Sequence, residues 1–243
     1  MQKTIRFSSD EYHLHGTLHL PKIKKPPVVI GSHGLISTGD SPKQIALAEK
    51  CTQHNIAYFR YDHRGCGESE GEFSSATTFE GRCRDLMSAV KTILDFPDTG
   101  DAIALFGSSF GGAISLAMAG SFNITSIVTV AAPLFSGSIH DPYANDPANN
   151  SLIQMLDRDK LSFDLRDRIS EISHLLIFHG DADQIVPFDN AMELNKTAKD
   201  PKKLICQKNG DHQITDVTHQ KEFIDQAVAW FKNYFQKSFL PKI

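Results

Sequence analysis

The sequence predicts an α/β fold: a mostly parallel, eight-stranded sheet with helices on both faces and a small helical lid. Three observations predict it. Short β-branched runs alternate with helical segments, the pattern of a parallel sheet covered on both sides. The polar and glycine-rich motifs fall just after the strands, where such sheets bind ligands. A single long interruption, residues 134–173, breaks the alternation and far exceeds an ordinary connection.

The elements follow in order. "TIRFSS" and "HLHGTLHLP" read as an opening antiparallel pair. In the second, Leu14, Leu18 and Leu20 alternate with His13, His15 and His19, which leaves one wet face. "PPVVIGSHG", "IAYFRYDH", "DAIALFGS", "SIVTVAAP", "HLLIFHGD" and "KKLICQKNG" read as the remaining strands. Between them, "SPKQIALAEKCTQHN" opens with a Ser cap and a Pro at the first helical position. "TFEGRCRDLMSAVKTILDF" carries an apolar stripe of Phe79, Cys83, Leu86, Met87, Val90, Ile93 and Leu94. "NAMELNKTAK" and "HQKEFIDQAVAWFKNYF" are further helices. Within 134–173, "SLIQMLDRDKLSFDLRDRIS" also reads as helical. The segment is too small for a separate domain, so the expectation is one domain over 1–243 with 134–173 inserted as a lid over the strand ends.

Composition bounds the function. Of 243 residues, 40% are hydrophobic and 22% charged, an ordinary globular balance. A net charge of −4 argues against nucleic acid as a partner, which demands a basic face. The N-terminal "MQKTIRFSSDEYHLHG" has no apolar core, so no signal peptide is expected. No apolar run approaches the roughly 18 residues of a membrane span. Cys51, Cys66, Cys83 and Cys206 show no C-x-x-C spacing. Free thiols in a reducing cytoplasm are therefore expected.

"DAIALFGSSFGGAIS" is a strand, a Gly-x-Ser-x-Gly turn and a small-residue helix. Only Gly107-Ser108-Ser109-Phe110-Gly111 fits the register, which makes Ser109 the candidate nucleophile and leaves Ser108 structural. A sharp turn lifts such a serine into the open, and flanking glycines allow close backbone passage. A hydroxyl needs a general base, and the base an orienting carboxylate. "QKNGDHQIT" places His212 after the last strand, and "IFHGDADQIVP" places Asp181 and Asp183 after the preceding one. The other histidines compete poorly: His54 and His219 fall in helices, His174 at the wrong sheet edge, and His179 is the nearest rival. Acyl transfer also needs backbone N–H groups aimed at the developing oxyanion. Phe110 follows the nucleophile, and "SHGL" offers Leu35 after Gly34, with His33 as a loop brace. In "RYDHRGCGESEG", Asp62 and Arg64 are placed to pair across a glycine turn and shape the adjoining loop.

These motifs together resemble the α/β-hydrolase superfamily, in particular its small serine esterases of the feruloyl/cinnamoyl-esterase-like and monoacylglycerol-lipase-like branches. "SHGL" is similar to the oxyanion segment, "DHRGCGES" to the D-x-R-G-x-G-x-S loop, "GSSFGG" to the nucleophile elbow and "NGDHQIT" to the histidine loop. "HGDADQIVP" resembles the acid loop G-x-x-D-x-x-V-P, which selects Asp183 over Asp181. The resemblance implies a carboxylic ester hydrolase working through an acyl-enzyme, with Ser109, His212 and Asp183 as triad and Leu35 and Phe110 as oxyanion donors. It calls for no metal and no cofactor. The expected partner is a small-molecule ester, with neither nucleic acid nor membrane insertion. Phe135 and Tyr143, with Leu152, Met155 and Leu156, are lid candidates for the acyl pocket. A thioesterase or amidase would use the same triad, and a silent ligand-binding relative would typically lack one of its members. Oligomeric state leaves no sequence signal.

Overall fold

The computed structural model describes residues 1–140 and 154–238. Eight strands form one sheet in the order β1-β2-β4-β3-β5-β6-β7-β8. These are β1 Gln2–Ser9, β2 Tyr12–His19, β3 Val28–Ser32, β4 Ala57–Tyr61, β5 Ile103–Ser108, β6 Ile124–Val130, β7 Leu175–Gly180 and β8 Lys202–Gln207. β2 runs antiparallel to β1 and β4, and every other pairing is parallel. The expected fold class is therefore the observed one.

The helices are α1 Pro42–Gln53, α2 Phe73–Ala76, α3 Phe79–Leu94, α4 Phe110–Ala117, α5 Asp189–Thr197 and α6 Val217–Ser238. Side chains alternate across a strand, so each strand feeds two cores. Val28, Ile30, Leu105 and Ile177 pack towards α3, α4 and α5. Val29, Phe106, Leu176 and Phe178 pack towards α1 and α6, against Leu47, Phe223 and Phe231. Both faces of the parallel strands are apolar for this reason. Ser109 occupies the turn between β5 and α4, and the loop after β3 lies next to it. The chain leaves β3 for β4 on one side and returns to β5 on the other. The crevice outside their carboxyl ends is the topological switch point of the sheet.

Two expectations need correction. The stripe of α3 is rotated from the one the sequence suggests. Phe79, Arg82, Asp85, Leu86, Ala89, Val90 and Ile93 are buried, while Cys83, Met87 and Leu94 are only partly so. The described part of the inserted segment is not a long helix. It forms short 3-10 turns at Ser136–Ser138, Asp159–Leu161 and Arg166–Glu171, with a bridge between Phe135 and Asp164. The reason is local. Asp157 and Asp164 accept the N–H groups of Asp159 and Arg166, each at 3.1 Å, and such side-chain bonds compete with helix. Tyr143 and Leu152 lie outside the described residues.

Candidate active site

The turn after β5 is strained and tightly packed. Ser109 has φ 53° and ψ −122°, a left-handed backbone that a non-glycine residue adopts at a cost of about 1–3 kcal/mol. The surroundings hold it there: its N–H donates to Val130 O at 2.8 Å. The glycines around it are required by space. A Cβ on Gly111 would lie 2.2 Å from Ser32 O, and one on Gly107 would lie 2.3 Å from Gly111 O. Ser108 ends β5, paired with Val130.

Three residues from three loops meet at this turn. His212 Nε2 is 3.0 Å from Ser109 Oγ, and its Nδ1 is 2.8 Å from Asp183 Oδ2. The Asp183 side chain is buried. Its Oδ1 accepts the N–H groups of Ile185 and Val186, both at 2.9 Å. Burial alone would raise this carboxyl, but hydrogen bonds from His179, His212 and the Val186 N–H outweigh it and hold it well below the usual carboxylate range. An ionised Asp183 only accepts, so His212 carries its proton on Nδ1 and presents a bare Nε2 to the serine. Asp181 serves elsewhere: its carboxylate accepts the Asn209 N–H and ties the loops after β7 and β8 together. Lys43, from α1, braces the histidine loop by donating to Gln213 O at 3.0 Å. Burial lowers its ammonium to about 8.

The loop after β3 approaches from the other side. A Cβ placed on Gly34 would lie 3.6 Å from Ser109 Cβ. Neither the Leu35 N–H nor the Phe110 N–H has an acceptor among the described residues. Phe110 is also the first residue of α4, where the helix dipole favours negative charge. His33 is the expected brace. The His63 N–H donates to its Nε2 at 3.0 Å, so its proton sits on Nδ1 and goes to Gly34 O at 2.8 Å. Burial pushes the His33 imidazole well below its ordinary value, which keeps it neutral.

Asp62 and Arg64 do not pair. Asp62 accepts the N–H groups of Gly39 at 2.7 Å and Glu68 at 3.0 Å, shaping the glycine turn. Arg64 reaches Asp85 at 2.7 Å and Asp10 at 2.9 Å instead. Asp85 also faces His63 Nδ1 at 3.3 Å, while Ser32 Oγ sits 2.8 Å from His63 Nε2. Arg82 is completely buried on α3 and bonds the carbonyls of Gly34 and Leu35. Sequence reasoning missed Arg82, Asp85 and His63. A signal exists: Arg82 falls on the helical spacing of Leu86, Ala89 and Ile93, a charge on an apolar stripe.

A cavity of about 750 Å³ opens at Ser109 and His212. Leu35, Ile36, Ile139, Leu161, Ile185 and Ile224 give it an apolar wall. The inserted segment contributes to that lining from both of its described ends. Phe135 does not: its ring lies under the Arg166 guanidinium, 4.4 Å away. Met155 is exposed and Leu156 is buried, and neither lines the cavity. The aromatic support comes from Phe163, stacked on Phe79 at 4.4 Å.

Strand order, turn and cavity together define an α/β-hydrolase. Residues 24–156, more than half of the chain, match the family described as serine aminopeptidase, S33, and the chain belongs to that family. YfhR of Escherichia coli O157:H7 is 30% identical over 189 residues, 76% of this chain and 62% of the relative, so the match spans under two thirds of that protein. The mitochondrial palmitoyl-protein thioesterase ABHD10 of Mus musculus is 24% identical over 79% of this chain and 71% of its own. Among solved structures, Est1E of Butyrivibrio proteoclasticus with ferulic acid bound superimposes with a TM-score of 0.78. It is 20% identical and covers 96% of this chain and 99% of its own, a likeness of fold. No described helix is long and apolar enough to cross a membrane.

Proposed function

We propose that the protein hydrolyses carboxylic esters of small to medium acyl groups through an acyl-enzyme on Ser109. The observation that carries this reading is the unbroken relay from Ser109 Oγ through His212 to Asp183, at 3.0 and 2.8 Å. His212 Nε2 takes the serine proton as Ser109 attacks the acyl carbon, and Asp183 stabilises the imidazolium that forms. The Leu35 and Phe110 N–H groups receive the oxyanion. Collapse expels the alcohol, which takes the proton from His212. Water, activated by the same imidazole, then releases the acid. The substrate is a small molecule held in the apolar cavity. Residues 134–173 act as its lid within a single domain, and the free thiols fit a reducing cytoplasm.

The family's name raises aminopeptidase activity as a rival. Such an enzyme must grip a free ammonium beside the scissile bond. The described lining instead holds a single carboxylate, Asp159, together with the cation Lys43, which favours an ester. A thioester is the nearer alternative, and the mouse relative's name points there. The test is turnover of p-nitrophenyl acetate and butyrate, with the matching thioesters and aminoacyl anilides alongside. Esters turned over by the wild type and not by Ser109→Ala support the reading. Undiminished hydrolysis in Ser109→Ala, or cleavage of the anilides alone, sinks it.

A further inference from the structure

We propose that Arg82 is a positioning residue for the oxyanion hole, holding the Gly34–Leu35 peptide from behind so that the Leu35 N–H stays aimed at Ser109. The proposal rests on the hydrolase reading and adds the group that sets its electrophilic side. Arg82 has no solvent exposure. Among the described residues it pairs with no carboxylate, because Asp85, one turn along α3, is taken by Arg64 and His63. Its Nη1 donates to Gly34 O at 3.2 Å, and its Nη2 donates to Leu35 O at 3.0 Å and contacts Cys66 Sγ at 3.1 Å. Its Nε–H has no acceptor among the described residues.

This is an expensive way to fill space. A buried charge without a carboxylate partner is costly, and an apolar side chain of similar volume commonly packs as well. What only the guanidinium supplies is a fork of donors for two consecutive loop carbonyls. The peptide unit is planar and trans, so its N–H points opposite to its C=O. Holding Gly34 O towards α3, by Arg82 on one side and His33 Nδ1–H on the other, sends the Leu35 N–H the opposite way. A cation at the carbonyl end also polarises that peptide and strengthens its N–H as a donor. The same guanidinium lies 5.6 Å from the centroid of the Phe110 ring, whose residue supplies the second N–H. One buried cation thus holds the Gly34–Leu35 peptide and faces the ring of the residue that supplies the second N–H before substrate arrives, so the Leu35 half of the hole needs no reorganisation during reaction.

The test compares wild type with Arg82→Met and Arg82→Lys, using kcat, KM and the affinity of an aryl trifluoromethyl ketone. Ser109 Oγ adds to the ketone carbon, the carbonyl pair moves to oxygen, and the serine proton passes to His212, so its affinity reads the hole directly. In Arg82→Met, kcat and ketone affinity should both fall by about tenfold or more, short of or up to the roughly 10²–10³-fold that outright loss of one oxyanion donor costs. KM should change by less than about threefold, because ground-state binding is untouched. Arg82→Lys keeps the charge but reaches one carbonyl, so it should lose less than Arg82→Met and still at least about threefold in ketone affinity. A folded Arg82→Met with ketone affinity within threefold of wild type overturns the proposal. If Arg82→Met does not fold, Arg82→Lys decides alone by the same threefold criterion. A wild type that neither hydrolyses esters nor binds the ketone overturns the hydrolase reading and this proposal together. A wild type that does both while the variants match it overturns this proposal alone.

Discussion

The two sides of the Ser109 turn are built in opposite ways. On the side of the candidate base, the loops after β7 and β8 leave His212 only partly exposed, and Asp183 is held by three hydrogen bonds, with His179 Nε2 3.2 Å from its Oδ2. On the oxyanion side, the loops after β3 and β4 sit on a buried ionic network running from His63 through Asp85 and Arg64 to Asp10, with Arg82 alongside. A base that must take and return a proton needs room and a polar surrounding. Donors that stabilise charge work best when fixed beforehand in a dry site. Activity and stability should therefore separate: loss of Asp183 costs turnover, and damage to the ionic network around Asp85 costs the fold.

Three measurements test that contrast. The largest effect belongs to the proton side. Asp183→Asn keeps the shape of the acid but presents the wrong tautomer of His212, so kcat should fall about 10⁴-fold. The urea midpoint should move little; a variant that loses activity only because it unfolds would erase the contrast. Next is Asp85→Asn, which strips Arg64 of its buried partner. Urea denaturation should show a loss of about 3–5 kcal/mol, with the fraction still folded retaining ester turnover. Stability unchanged by this substitution would mean that the network carries little.

The smallest expected effect is the response to pH. Burial pushes His63 from 6.5 to about 4, and burial with the nearby Arg60 does the same for His19. Their folded values lie below their unfolded ones, so between about 6.5 and 4 the unfolded chain binds more protons. Stability from these groups is therefore full above 6.5 and drains away as pH falls through that window. The melting temperature should drop between pH 7.5 and pH 5, and His63→Gln should flatten the drop. An equal slope in His63→Gln would remove His63 from the account.

What the sequence made legible follows the same division. The eight strands and the main helices are readable because apolar periodicity marks elements buried on both faces. That Ser109, Asp183 and His212 converge, with the Leu35 loop and Phe110 beside them, is readable because each sits in a short motif next to a strand end. His33 is legible as a brace for the same reason. Arg82 and Asp85 are not, because their partners lie far along the chain and their helix position reads as part of an apolar stripe. The pairing of Arg64 is misread from local spacing, since its partners come from α3 and the β1–β2 turn. The inserted segment is misread because Asp157 and Asp164 turn the backbone out of helix. Phe135 is misplaced because an aromatic in a lid serves packing as readily as substrate.

Ser109 as the attacking group is open to a direct chemical test: treating the folded protein with a fluorophosphonate and mapping the adduct by peptide mass spectrometry. One adduct is expected, on Ser109, absent from Ser109→Ala and strongly slowed in His212→Ala. An adduct on Ser108 or elsewhere, or none on a folded protein that still hydrolyses esters, would contradict it.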